Sequence, residues 1–352
     1  MRLFCLLTLS ALCLVPEAGD GQARPAKKAP EMSGIAVGYF AGINYNLPKG
    51  PEDFSGIARL GQQLGHVPAI AHGYWSWKLP DGSYRPFPMN FVDYLAKLNI
   101  MPMVNWEPAQ CGAKNSVEGP GLTVQPEFSL AAITSGKHDA YIRASAKTIK
   151  ASPHTVYIRL MHELNGNWYP WGYGVNGNTS PAQFVEAFRH VVRIFQQEKV
   201  ANVQFVWCVS TQAMLKANAP PIEAFFPGDE YVDWVSIDGY NRNRGMWRTV
   251  DNLFAAAYAT ATKISRRPVM IAETACVEDE KDPTAKPRWI TDGFLNVIPN
   301  QMPRVKAILY FNNAGHGYTY RLDSSPQSFA AFKAVVASPL CQAVAPNRPF
   351  KF

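Results

Sequence analysis

Long apolar runs are scarce in this chain of 352 residues. Leu3 to Val15, behind Arg2, is too short to span a bilayer as a helix. It reads as a secretory signal over residues 1–23, cut after Ala18 or Ala23, with a lipoprotein anchor at Cys13 as the alternative. No other segment is apolar and long enough to cross a membrane, so the protein is expected to be secreted or periplasmic. Cysteine is also sparse. Beyond the apolar run stand Cys111, Cys208, Cys276 and Cys341, too widely spaced for a zinc site or a dense disulfide scaffold. One or two disulfides would suit an exported protein, but sequence does not pair them. Runs of one charge are missing as well. Net charge is +7, yet the 34 Lys and Arg never gather beyond the pairs Lys27-Lys28 and Arg266-Arg267, which argues against nucleic acid as a partner. After residue 33 there is no internal repeat and no linker rich in Pro or Gly.

What is present alternates. Residues 24–33 read as a flexible leader and 34–345 as one domain. Within it, apolar strand-like runs (Ile35–Phe40, Val67–Tyr74, Met101–Asn105, Val156 to Glu163, Val203–Val209, Val232–Ile237, Val269–Ala272 and Val305–Phe311) alternate with helix-like segments. Ser180-Pro181 gives a helix start ahead of a buried face at Phe184, Phe188, Val191 and Phe195. Eight strands alternating with helices in one domain with 47% hydrophobic residues predict a single-domain α/β fold, a (β/α)8 TIM barrel.

Two of these strands end in a carboxylic acid. The stretch His154–Gly172 runs from a strand through His162 and Glu163 into the turn formers Asn165-Gly166-Asn167 and the aromatics Trp168, Tyr169 and Trp171. The stretch Pro268–Glu278 brings a second strand to Glu273. By strand count these are strands four and seven. Barrel active sites form where the strands' carboxyl ends meet, so the two acids should converge at the mouth. Arg159 could merely neutralise Glu163. His162 invites a metal reading, but the second His of an HExxH helix is missing. A sugar contact or an orienting role suits it better. His72 and His316 are placed in loops at the mouth. Trp75, Trp77, Trp106 and Trp207 near strand ends suggest a sugar platform. Glu107 either braces a neighbour or faces substrate.

The run His162-Glu163-Leu164-Asn165-Gly166-Asn167-Trp168-Tyr169-Pro170-Trp171 resembles the acid/base motif of glycoside hydrolase family 26, usually HEMNGxW, with Leu164 in place of Met. Ile271-Ala272-Glu273-Thr274 resembles its nucleophile strand, and Ile133–Ile142 its helix lead-in; the match spans roughly residues 33–340. The resemblance implies a retaining glycosidase with Glu163 as acid/base and Glu273 as nucleophile, Tyr240 touching the nucleophile and Asp238 in the site. His72, Trp75, Trp106, His162, Trp168 and Trp171 are the further candidate contacts to substrate. It implies a β-linked polysaccharide substrate: β-1,4-mannan, mixed-linkage β-glucan or, in some members, β-1,3-xylan. The chain departs from the pattern at strand eight, where many members have Trp and this one has Phe311-Asn312. No cofactor is expected, and a monomer is the expectation although nothing in the sequence fixes it. The competing readings are a sugar-binding barrel without catalysis, a metal-dependent hydrolase using His72, His162 and Asp238, and a glycosidase acting on bacterial exopolysaccharide.

Overall fold

The structure, a computed structural model, describes residues 34–40, 53–112, 124–212, 220–243, 245–315 and 317–341. The signal and leader segments and His316 lie outside the described residues. Eight parallel strands close into a barrel in sequence order. They are β1 (Ala36–Phe40), β2 (Ile70–Lys78), β3 (Met101–Gln110), β4 (Val156–Leu160), β5 (Val203–Ser210), β6 (Trp234–Asn241), β7 (Val269–Cys276) and β8 (Val305–Phe311). Closure is made by β1 against β8, in register from Ala36↔Ala307 to Phe40↔Phe311.

Helices cover the outside, in chain order α1 (Ser55–Leu64), α2 (Met89–Lys97), α3 (Leu130–Thr134), α4 (Asp139–Ala151), α5 (Pro181–Gln197), α6 (Val250–Ile264), α7 (Ala285–Asp292), α8 (Ile298–Gln301) and α9 (Pro326–Val336). The start of α5 follows its sequence signal. Ser180 and Gln183 form a reciprocal capping box, Pro181 opens the first turn, and Phe184, Phe188, Val191 and Phe195 are buried. A two-residue hairpin, β9 (Ala314–Gly315) and β10 (Tyr318–Thr319), follows β8.

Strand side chains sort by the two-residue period. Ile70, Met101, Met103, Tyr157, Val206, Trp234, Met270 and Leu309 fill the barrel interior. Their neighbours Ala71, Val104, Ile158, Phe205, Val235 and Ile271 pack outward under the helices. Gly38 is required where β1 crosses β2, since a Cβ there would lie 2.1 Å from the Ile70 carbonyl oxygen.

Two strand ends differ from the sequence expectation, and both bear on the site. Strand four stops at Leu160, because Met161 and Glu163 adopt left-handed backbone angles (φ 48° and 51°) and turn the chain before the acid. Strand seven continues past Glu273 to Cys276. Here the pairing with β6 jumps from Ile237↔Ile271 to Asp238↔Glu273, leaving Ala272 as an extra residue. This is a bulge, rare between parallel strands. Met270 and Ala272 face inward, so strict alternation would send Glu273 outward; the break in alternation at the bulge keeps it at the mouth opposite Asp238.

Candidate active site

The site is assembled around Arg159, which points inward from β4 and is fully buried. Its Nη1 donates to Glu273 Oε1 and, at 3.2 Å, to Asn105 Oδ1. Its Nη2 donates to Asp238 Oδ2 and meets Cys208 Sγ at 3.2 Å. Five strands therefore hold one cation. Burial works against the guanidinium's charge, and Asp238, Cys208 and Glu273 outweigh it, so it stays protonated. Arg159 thus pairs with Glu273 and Asp238 rather than with Glu163.

Glu273 also accepts from two phenols, Tyr74 at 2.5 Å on Oε1 and Tyr240 on Oε2. Burial alone would raise its carboxyl. Arg159 above all, with the Tyr240 hydrogen bond, overrides burial and brings it down to about 2. Asp238 shares the cation but sits deeper with one oxygen unpartnered, and burial pushes it well above the usual carboxylate range against the pull of Arg159.

Glu163 has the opposite environment. Burial raises it, the charge of Glu273 raises it further, and it reaches about 7 despite a 2.6 Å hydrogen bond from Trp168 Nε1 to Oε2. The loop that carries it is braced. Asn165 exchanges two hydrogen bonds with the backbone of Ser210 at the end of β5, at 2.9 and 2.8 Å. Trp171 Nε1 donates to the His162 carbonyl at 2.8 Å, and its ring stacks on Tyr169 at 4.5 Å.

Both histidines are neutral. Burial holds His162 well below the imidazole range; its Nε2 shares a 2.9 Å hydrogen bond with the Tyr169 hydroxyl and lies 4.0 Å from Glu107 Oε1. His72 lies inside β2 rather than in a loop, and burial lowers it to about 3. Asn105 donates to its Nδ1 at 2.8 Å, which puts the proton on Nε2. Among the described residues no group of three His, Cys, Asp or Glu side chains is placed to hold a metal ion. Cys111, Cys208, Cys276 and Cys341 form no disulfide.

The tryptophan platform is not at the mouth. Trp75 and Trp106 are 2% and 0% exposed and point outward from β2 and β3 into the helix layer, Trp75 stacking on Phe91 of α2 and Trp106 meeting Trp77 and Tyr141. Trp207 packs on Phe226 in the same way. Their positions alternate with the inward Tyr74, Asn105 and Cys208, so one residue of register separates a site residue from a core residue. Trp171, at 1% exposure, also packs beneath the loop. Trp168 alone among the candidate tryptophans is half-buried at the mouth, beside Glu163. Phe311, where many family members have Trp, stacks on Phe40 at 4.9 Å and meets Tyr240 edge-on at 5.7 Å, so an aromatic ring remains at this edge.

Sequence reading missed Tyr74, Asn105 and Cys208, and the alternative in which Arg159 merely neutralises Glu163 does not hold. The signal was available for Tyr74: it stands two residues beyond His72, on the same face of one strand.

The family model for glycosyl hydrolase family 26 matches residues 139–285, which hold Glu163, Arg159, Asp238 and Glu273. This chain belongs to glycosyl hydrolase family 26. It is 30% identical over 313 residues to Endoglucanase H of Acetivibrio thermocellus, a match covering 87% of this chain and 31% of that protein. It is 30% identical over 90 residues to mannan endo-1,4-beta-mannosidase A and B of Caldalkalibacillus mannanilyticus, covering 25% of this chain and 17% of that one. The chain therefore spans about a third or less of the length of these curated relatives. The fold superimposes on a GH26 beta-mannanase from Bacteroides ovatus with a TM-score of 0.61, at 16% identity and over 89% and 91% of the two chains.

Proposed function

We propose that this family 26 barrel is an exported, retaining endo-acting O-glycosyl hydrolase of β-linked polysaccharide, with β-1,4-mannan or mixed-linkage β-1,3-1,4-glucan as substrate. The observation that carries it is the opposed environment of two carboxyls at one mouth. Glu273, held near 2 above all by Arg159, is ionised at neutral pH and suited to attack an anomeric carbon. Glu163, raised to about 7, still holds a proton for the leaving oxygen.

In the first step a Glu273 oxygen forms a bond to the anomeric carbon as the glycosidic C–O bond breaks, and the Glu163 proton passes to the departing oxygen. Esterified Glu273 has lost its charge, and Glu163 with it the neighbour that raises its pKa. Glu163 then takes a proton from water, whose oxygen displaces Glu273 and returns the original anomeric configuration. Tyr74, Tyr240 and Arg159 hold Glu273 in place, and Trp168 offers Glu163 a hydrogen bond that strengthens as it ionises.

The test is the anomeric configuration of the first product by NMR, with azide rescue of two variants. Glu163→Ala should form the glycosyl intermediate from a dinitrophenyl glycoside, with azide speeding its breakdown. Glu273→Ala should lose nearly all turnover. An inverted product, or a Glu273→Ala enzyme with near-normal turnover, overturns the assignment. Oligosaccharide binding without hydrolysis by the wild type would instead leave a sugar-binding barrel.

A further inference from the structure

Asp238 and Glu273 are register partners on β6 and β7, just past the bulge, and one guanidinium serves both. Arg159 Nη1 donates to Glu273 and Nη2 to Asp238, and all three side chains are buried. Glu273 has a part in the mechanism above. Asp238 has none.

The two acids share that cation on unequal terms. Glu273 accepts on both oxygens, from Arg159 and Tyr74 on Oε1 and from Tyr240 on Oε2. Asp238 accepts from Arg159 on Oδ2, and its Oδ1 has no hydrogen-bond partner among the described residues. Cys208, from β5, adds a weak thiol hydrogen bond, while the charges of Glu273 and Glu163 oppose ionisation of Asp238. His72 and His162 are neutral, and Arg242 lies against Tyr240. Where two buried carboxyls meet a single cation, the one with more donors takes the negative charge and the other keeps its proton. Burial accordingly holds Asp238 well above the ordinary carboxylate range, whereas at Glu273 the pull of Arg159 overrides burial and brings the group down to about 2.

Attachment of a sugar reverses these terms. An esterified Glu273 carries no charge, and Arg159 is then a buried cation that has lost its mate, a strongly unfavourable state. Asp238 already lies on Nη2, so it can replace that mate without moving. Its like-charged neighbour on β7 has gone at the same moment.

We infer that Asp238 is the second counter-ion of Arg159: neutral while Glu273 is ionised, it releases its proton to solvent while Glu273 is esterified and takes one back when Glu273 is freed. The inference rests on the proposed role of Glu273 as nucleophile. Asp238 forms no bond to the sugar, so it is a positioning residue that acts through Arg159. The guanidinium keeps one negative partner at every stage and stays in place to receive Glu273 as the ester breaks.

The test reads the charge of Asp238 directly. Enzyme with carbon-13 in the side-chain carboxyl of aspartate is examined by NMR near pH 6, where Glu163 still holds its proton. The Asp238 signal is the one missing from Asp238→Asn. Wild type should show a neutral carboxyl, and Glu273→Gln, whose amide copies the uncharged ester, an ionised one. A second measurement follows protons with a pH indicator as Glu163→Ala reacts with a dinitrophenyl glycoside, whose phenolate leaves without a proton. About one proton should be released per dinitrophenolate in the burst and taken up again when azide discharges the ester. Asp238→Asn in the same background should release none. An ionised Asp238 in wild type, or equal charge in wild type and Glu273→Gln, overturns the inference. So does a burst without a proton, or with one that survives Asp238→Asn. A missing burst counts against the roles of Glu163 and Glu273 instead, and the NMR comparison then decides alone whether the two acids exchange one charge.

Discussion

Trp168 donates its indole N–H to Glu163 Oε2 at 2.6 Å, yet the carboxyl it touches is raised to about 7. Burial and the charge of Glu273 outweigh the hydrogen bond. The kcat/KM profile should therefore be bell-shaped, with an alkaline limb near 7 from Glu163 and an acid limb near 2 from Glu273. Measured on an activated aryl glycoside that needs no protonation, Glu163→Gln should lose the alkaline limb and keep the acid one. An alkaline limb still near 7 in that variant would assign it to another group.

The same two groups act oppositely on stability. Glu273 is depressed when folded, so its contribution is present above the ordinary glutamate value and is lost as pH falls through about 2. Glu163 is raised, so its contribution is present below the ordinary value and is lost as pH rises through about 7. Glu163→Gln should therefore flatten the decline of stability between the ordinary value of 4.5 and about 7, as read by urea midpoints across that range.

Arg159→Met should be severe in two ways. It leaves the Glu273 carboxylate buried without its cation and Asp238 without its donor, a loss of about 3–5 kcal/mol of stability. It also removes the main influence that lowers Glu273, so in whatever folded fraction remains the acid limb should move upward. Denaturant titration and the pH profile check the two effects separately. An unchanged acid limb would show that the phenols alone hold the carboxylate.

Trp171→Ala and Trp106→Ala should each cost about 3–5 kcal/mol of folding stability, because both rings are enclosed. Trp168→Ala should leave the urea midpoint within about 1 kcal/mol of wild type while reducing kcat/KM, since its half-buried ring stands at the mouth against Glu163. Equal unfolding midpoints for all three would contradict this division.

The barrel was legible because its signals are periodic and local. Apolar strands at regular spacing and the Ser180-Pro181 helix start need no tertiary information. Glu163 and Glu273 were legible as acids that close strand-like runs. The direction in which a side chain points was harder to read. Trp75 and Trp106 differ from Tyr74 and Asn105 by one position, and composition carries no record of which parity faces the mouth. Arg159 shows the same limit. Its nearness in sequence suggested Glu163 as a partner, but its actual partners lie 79 and 114 residues away on strands whose facing is set only by closure of the barrel.

Ala272, the extra residue of β7, makes the nucleophile's orientation a matter of counting. Without it Glu273 would follow the outward Ile271 and face the mouth by strict alternation; with it, only the bulge keeps the carboxylate opposite Asp238. A descendant gene could therefore shed this alanine codon and keep its nucleophile aimed at the sugar. A lineage in which the strand straightened with the alanine retained would turn the carboxylate into the helix layer instead. Glu273 would still be read in its sequence, though it no longer faced the sugar.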